Sequence, residues 1–347
     1  MQSHTNHEVI SPIPLSMRSA AAGALYGLAI GDALGMPTQS MPREWILQDY
    51  GRLEGFRAAG PRQAIAAGMP AGTVTDDTEQ AVMVGELLVS GDGRIEPLVF
   101  ASSLMRWEQS MKDRGSLDLL GPSTKAAVEI IRQGGDPEDA GRYGTTNGAA
   151  MRIAPVGIAV ECLDMATFLD SVVNASMVTH NTSLGIAGAA AVSAAVSAGV
   201  AGARVPEALE YALAAAREGS LRGHWIAGAD IADRSMWAIS HLKSLTPSAR
   251  ADALYNVVGT SVASQESVTC ALALVALDED PFQTLLEAAG LGGDTDTIAA
   301  MAGAMLGAVH GLDGWPAGAV ETIRTVNDLH LEPLANDLLH LRLGTGA

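Results

Sequence analysis

Two short stretches hold the residues best suited to chemistry. Asp76 and Asp77 lie side by side in "AGTVTDDTEQAVMVGELL", residues 71 to 88, directly after Thr75. Asp294 and Asp296 alternate with threonines in "GLGGDTDTIAAMAGAMLGAVHG", residues 290 to 311, and the sixteen residues after Asp296 contain no Asp, Glu, Lys or Arg. One Asp or Thr before a helix is explained by capping, because its oxygen accepts from free N–H groups and its charge suits the helix dipole. Capping does not explain these stretches in full: adjacent carboxylates repel, and one helix end needs only one cap. Two clusters of oxygen donors, each at a helix start, match the requirements of a hard divalent cation. Four carboxylates facing one cavity need roughly two divalent ions to balance them, so the residues themselves point to a two-metal centre.

The elements that must position these groups are helices. From Met17 onward apolar residues recur at three- and four-residue spacings, as in "AAAGALYGLAIGDALG", "STKAAVEIIRQG" and "PFQTLLEAAG". Many such runs end in Gly or precede Pro, as helix stops do. Convincing strand pairs, a fixed-period repeat and a long linker are all lacking. The pattern predicts an all-α fold, a single compact domain of many short helices over residues 18–347, behind a loose, flexible N-terminal tail over 1–17. The segment 183–203 has 21 residues without a charge and reaches membrane-spanning length. Its Ala, Gly and Ser content makes it only weakly hydrophobic, and a buried helix is the expectation.

Composition narrows the function. The 347 residues suffice for a substantial core, yet only 4% are aromatic, so bulk comes from Ala, Leu, Val and Met. A formal net charge of −18 excludes non-specific binding to nucleic acid, which needs a basic surface, and disfavours anionic membrane. Cys162 and Cys270 lack CxxC spacing and read as small core residues. The N-terminus lacks a basic start followed by an apolar core, so a cytoplasmic location is expected.

Five motifs together resemble the ADP-ribosylglycohydrolase family, the relatives of the dinitrogenase reductase-activating glycohydrolase. They are "GLAIGDALGMP", "TVTDDTEQAV", "TNGAAMRIAPVG", "VTHNTSLG" and "GLGGDTDTIAAMAGAMLG", in the family's order over about residues 20 to 320. The resemblance implies an all-α fold with two Mg2+ or Mn2+ ions in a cleft. It also implies hydrolysis of the bond joining ADP-ribose to its acceptor, with an ADP-ribosylated protein or a small ribosylated molecule as substrate. Carried over by motif, Thr75, Asp76, Asp77, Asp294, Asp296 and Thr297 look like metal ligands, with Asp296 similar to a bridging carboxylate. Asp76, Asp77, Asp294 and Asp296 are the residues expected to be essential. Asn147 and Gly148 resemble ribose and phosphate contacts, and His180 matches a substrate-contacting position. Arg152 has two readings, a partner for a substrate carboxylate or phosphate and a neutraliser of nearby acids. Asp32 reads as a bridge between helices, and Trp107, His310 and Trp315 as core.

One departure bears on catalysis. Where the family usually has a glutamate that acts at the metals or on the reacting water, this chain has Gln39 in "GDALGMPTQSM". A glutamine can hydrogen-bond a water or a ribose hydroxyl but cannot take its proton. Glu44 could replace it only if the loop folds differently. Three functions are therefore compatible with the sequence: an ADP-ribosyl-acceptor hydrolase, a hydrolase of a smaller N-riboside, and a non-catalytic ADP-ribose-binding or structural relative. Acceptor choice is expected to depend on the loops around 39–70 and 109–124.

Overall fold

The structure is a computed structural model that describes residues 13–116 and 120–344. Residues 1–12 of the expected tail, and 117–119 of the second specificity loop, lie outside the described residues. Among the described residues the chain forms seventeen α-helices and no β-strand. The first nine are α1 (Leu15–Gly35), α2 (Arg43–Asp49), α3 (Asp76–Ser90), α4 (Pro97–Asp113), α5 (Pro122–Arg132), α6 (Pro137–Ala140), α7 (Ala154–Ala159), α8 (Met165–His180) and α9 (Ser183–Val200). The rest are α10 (Val205–Gly219), α11 (Ile231–Leu242), α12 (Pro247–Ala253), α13 (Ser264–Val275), α14 (Pro281–Ala289), α15 (Thr295–His310), α16 (Ala317–Asn327) and α17 (Glu332–Arg342). A π-helical turn, Leu254–Val258, continues α12. The single helical domain expected from the spacing is the fold found.

The pairing of α1 with α15 sets the position of the acidic cluster. Gly23, Gly27, Gly31 and Gly35 recur every fourth residue and so share one face of α1. Each lies against the backbone of α15: a Cβ on Gly23 would meet the Gly307 carbonyl at 2.5 Å, one on Gly27 the Gly303 carbonyl at 2.2 Å, and one on Gly31 the Ala299 carbonyl at 2.1 Å. On Gly35 it would stand 2.3 Å from the Cα of Asp296. The two helices run antiparallel with their backbones in contact, so the end of α1 fixes the start of α15. Hydroxyls reinforce the joint, with Thr38 Oγ1 2.7 Å from the Ala289 carbonyl and Thr295 Oγ1 3.1 Å from the Gly35 carbonyl.

Around this pair the chain packs α9, α13 and α14 on α15, and α7, α8 and α10 on α9. Every residue of α9 is buried. It is the one described helix long and apolar enough to cross a bilayer, with a mean hydropathy of 1.7, and here it lies wholly inside the protein. Small side chains let these inner helices approach closely, so the core gains its dispersion energy from many short contacts rather than from rings. Trp315 is buried as expected, its Nε1 donating to the Gly23 carbonyl at 2.9 Å, and Trp107 is likewise buried. His310, expected in the core, is exposed because it falls in the last turn of α15, where the helix leaves the interior.

Candidate active site

The first cluster sits at the start of α3. Capping there falls mainly to Asp32 of α1, which is fully buried and accepts from the Thr75 N–H at 2.9 Å and the Thr78 N–H at 3.1 Å. The hydroxyls of Thr75 and Thr78 donate to the same carboxylate at 2.7 and 2.5 Å. Asp32 thus bridges two helices, and burial lifts its pKa to about 6 despite those four donors. With Asp32 on those N–H groups, the carboxylates of Asp76 and Asp77 make other contacts. Asp76 accepts from Gln80 Nε2 at 2.9 Å, and Asp77 accepts from Thr297 Oγ1 at 3.2 Å. That second bond crosses from one acidic stretch to the other.

The second cluster shows the same separation of roles. Asp294 occupies the N-cap position of α15, yet its side chain makes no capping bond. It accepts instead from Asn147 Nδ2 at 2.5 Å, and Asn147 is held in turn by Ser267 at 2.9 Å. Gly292 and Gly293 lead into it at φ 90° and 83°, conformations that favour glycine. A Cβ on Gly293 would meet the Thr260 carbonyl at 2.3 Å, so that glycine serves a close approach between loops. The loop is pinned by Asp294 N–H to the Thr260 carbonyl at 2.7 Å and by a bridge between Met41 and Gly293. A further bridge, Thr146 to Ala263, ties the Asn147 loop to the same wall.

These loops enclose a cleft of about 450 Å³, within the size range of small-molecule sites. Of the residues expected from the sequence, Gln39, Asp76, Asn147, Gly148, Asp294, Asp296 and Thr297 line it. Thr75 and Asp77 are buried directly beneath. Glu44 is exposed in the first turn of α2 and is absent from the lining, so it does not stand in for Gln39. Gln39 itself is 6% exposed, and its Nε2 finds no hydrogen-bond partner among the described residues.

Two residues expected at the substrate lie one layer behind the cleft. Arg152 is fully buried, with its guanidinium donating to Gln80 at 2.5 Å and Thr179 at 2.6 Å and resting on the Phe100 ring. It is not among the residues lining the cleft. Its surroundings match the neutralising reading, since the charges of Asp76 and Asp77 hold up a pKa that burial lowers to about 10. His180 is also fully buried, its two ring nitrogens facing the hydroxyls of Thr146 and Thr179 at 2.9 and 2.8 Å. Burial, then the Arg152 charge, pushes its pKa well below the usual value, so the imidazole is neutral. It buttresses Gly148, where a Cβ would stand 2.9 Å from His180 Cε1.

The electrostatics favour a cation. Asp77 is held well above the usual carboxylate range, first by burial and then by the charges of Asp296, Asp76, Asp32 and Asp294. Its Oδ1 is buried and meets no hydrogen-bond donor among the described residues. Asp294 is lifted to about 6 by burial, opposed by hydrogen bonds from Asn147 and Thr297. An orphaned buried oxygen and an all-oxygen donor set fit a hard divalent ion. Among the described residues, no three carboxylate, imidazole or thiolate groups converge closely enough to hold an ion as they stand.

Comparison with known proteins supplies the family to which this fold belongs. The family model for ADP-ribosylglycohydrolase matches residues 14–347, and the chain belongs to that family, whose general chemistry is hydrolysis of ADP-ribose linkages. The uncharacterized protein YegU of Escherichia coli strain K12 is 33% identical over 322 residues, 92% of this chain and 96% of that protein. The ADP-ribosylarginine hydrolase Tri1 of Pseudomonas putida strain GB-1 is 28% identical over 327 residues, 92% of this chain and 77% of that enzyme. Among solved structures, an ADP-ribosylglycohydrolase-related protein complex matches with a TM-score of 0.67 at 24% identity, covering 94% of this chain and 99% of that one, a likeness of fold.

Proposed function

We propose that the chain is a divalent-metal-dependent hydrolase that cleaves the glycosidic bond between ADP-ribose and an acceptor. The observation that carries this reading is the gathering of Asp76, Asp294 and Asp296 on one cleft, with Asp77 beneath and the helix-capping work at α3 done elsewhere. Thr75, Asp76, Asp77, Asp294, Asp296 and Thr297 would hold two Mg2+ or Mn2+ ions. When bound, such ions supply Lewis acidity and neutralise the clustered charge.

The chain's own residues account for the rest. Asn147, anchored by Ser267 and Asp294, presents an oriented amide at the acidic wall. Gly148 leaves room for a sugar where any side chain would strike His180. Gln39 can donate to a sugar hydroxyl or a water but cannot remove a proton, so that step falls to a cleft carboxylate. The surrounding carboxylates favour the positive charge that develops at the anomeric carbon as the bond breaks. The acceptor best supported by kinship is arginine, because a relative matched along 92% of this chain is an ADP-ribosylarginine hydrolase. A second reading, a smaller N-riboside, gains support from the scarcity of positive charge among the described residues that line the cleft.

The test is release of ADP-ribose from ADP-ribosyl-arginine with Mn2+ or Mg2+, beside a chelated sample. Release with metal and none with chelator is the expected result. Metal-independent release would remove the ions from the account, and release only by Gln39→Glu would show that the natural protein acts on a different riboside.

A further inference from the structure

We propose that Ser267 is a positioning residue: from α13 it fixes the amide of Asn147, and through that amide the rotation of the Asp294 carboxylate. The proposal rests on the reading above, that the cleft carboxylates hold divalent ions. Residues 264–270, "SQESVTC", open α13 and none of them lines the cleft. Ser264 and Ser267 are both fully buried and stand one turn apart on one face of that helix. The Ser264 N–H donates to the Thr145 carbonyl at 3.0 Å and its hydroxyl to the Thr146 carbonyl at 2.7 Å. The Asn147 N–H donates in turn to the Val262 carbonyl at 2.9 Å. The backbone of residues 145–147 is thus clamped to the start of α13. Because α13 packs on α15, Ser267 is a fixed point relative to Asp294.

The direction of the amide follows from its donors and acceptors. The Ser267 hydroxyl gives its one hydrogen to the Ala263 carbonyl at 3.1 Å, so toward Asn147 Nδ2, at 2.9 Å, its oxygen only accepts. The ionised Asp294 carboxylate, 2.5 Å from the same nitrogen, also only accepts. Both amide hydrogens are therefore committed, and a flipped amide would set Oδ1 against two acceptors. Two anchors hold the amide plane, whereas with Asp294 alone it pivots about that contact. The Asp294 backbone is held by the Thr260 carbonyl at 2.7 Å, and the bonds from Asn147 and Thr297 set the rotation of its side chain.

The first acidic stretch is built in the same way. Arg152, whose guanidinium only donates, faces Gln80 Oε1 at 2.5 Å, and this turns Gln80 Nε2 to Asp76 Oδ2 at 2.9 Å. In each stretch one carboxylate meets a primary amide whose orientation is settled by a buried group behind it. Like charges left to themselves turn apart, and a fixed donor holds them in one rotamer. Loss of such a supporting partner costs roughly 10–100-fold in metal affinity.

The experiment titrates the metal-free full chain with Mn2+ by calorimetry and follows its thermal melting by circular dichroism. Ser267→Ala removes one oxygen atom from a helix. It is expected to melt within about 3 °C of the wild type without metal, yet to bind Mn2+ about tenfold more weakly. In an Asn147→Ala background the same substitution should change Mn2+ affinity by less than about twofold, because the amide through which it acts is gone. Ser267→Cys, with a weak sulfur acceptor in place of the oxygen, should show a loss of the same kind and serves if the alanine variant does not fold. Mn2+ binding by these variants equal to that of the wild type, or a loss that persists in full without Asn147, overturns the positioning role and leaves the metal site in place. A wild type that binds no Mn2+ overturns both.

Discussion

Asp294→Asn is expected to lower kcat/KM for metal-dependent hydrolysis by about a hundred- to a thousandfold while leaving the fold intact, the scale of losing one preorganised electrostatic group. The side chain occupies a helix N-cap position without making a capping bond, so its replacement removes no cap from α15. Asn has nearly the same volume, and the site already contains an amide, Asn147, bonded to this carboxylate. The substitution also deletes one of the like charges that raise the Asp77 pKa. The metal-free variant should therefore melt at the same temperature as the wild type or higher, and its gain from added Mn2+ should shrink. Steady-state kinetics and thermal melts with and without metal read both quantities. Near-normal turnover in this variant would sink the role given to the second acidic cluster.

Gly35→Ala is expected to destabilise the protein by about 1–3 kcal/mol, as overpacking does, and to reduce turnover beyond what unfolding explains. The added methyl would sit 2.3 Å from Asp296 Cα and 2.4 Å from its N, both backbone atoms that cannot rotate away. Relief requires α1 and α15 to part at the point where Asp296 and Thr297 enter the cleft. A shift of about 1 Å at a reacting centre costs on the order of a hundredfold in rate. Gly318→Ala in α16 is the control, since its methyl meets nothing within 4 Å and a helical Gly→Ala change is mildly stabilising. Denaturant titration of both variants checks this, and a Gly35→Ala protein as stable as the control would mean that the two backbones are not in contact.

The legible part of this protein was local. The period of the apolar residues specified helices, and the oxygen-rich stretches at 75–77 and 294–297 marked two helix starts that do meet, through Thr297 and Asp77. Asp32 was read as a bridge and is one, because a lone acid inside an otherwise apolar helix must find donors. What a motif does not encode is which side of the backbone faces the cleft. Arg152, in the turn before α7, and His180, the last residue of α8, turn inward, where Gln80 and the hydroxyls of Thr179 and Thr146 receive them. The glycines of α1 were visible as small residues, but their register against Gly303 and Gly307 is a tertiary fact.

The central claim is that the two acidic stretches together hold divalent ions for glycosidic hydrolysis. Calorimetric titration of the metal-free chain with Mn2+ tests it most directly. Two sites per chain, both weakened or lost in Asp294→Asn and filled over the same Mn2+ range that restores ADP-ribose release, is the predicted result. A chain that binds no Mn2+ yet releases ADP-ribose at an undiminished rate in chelator would contradict it.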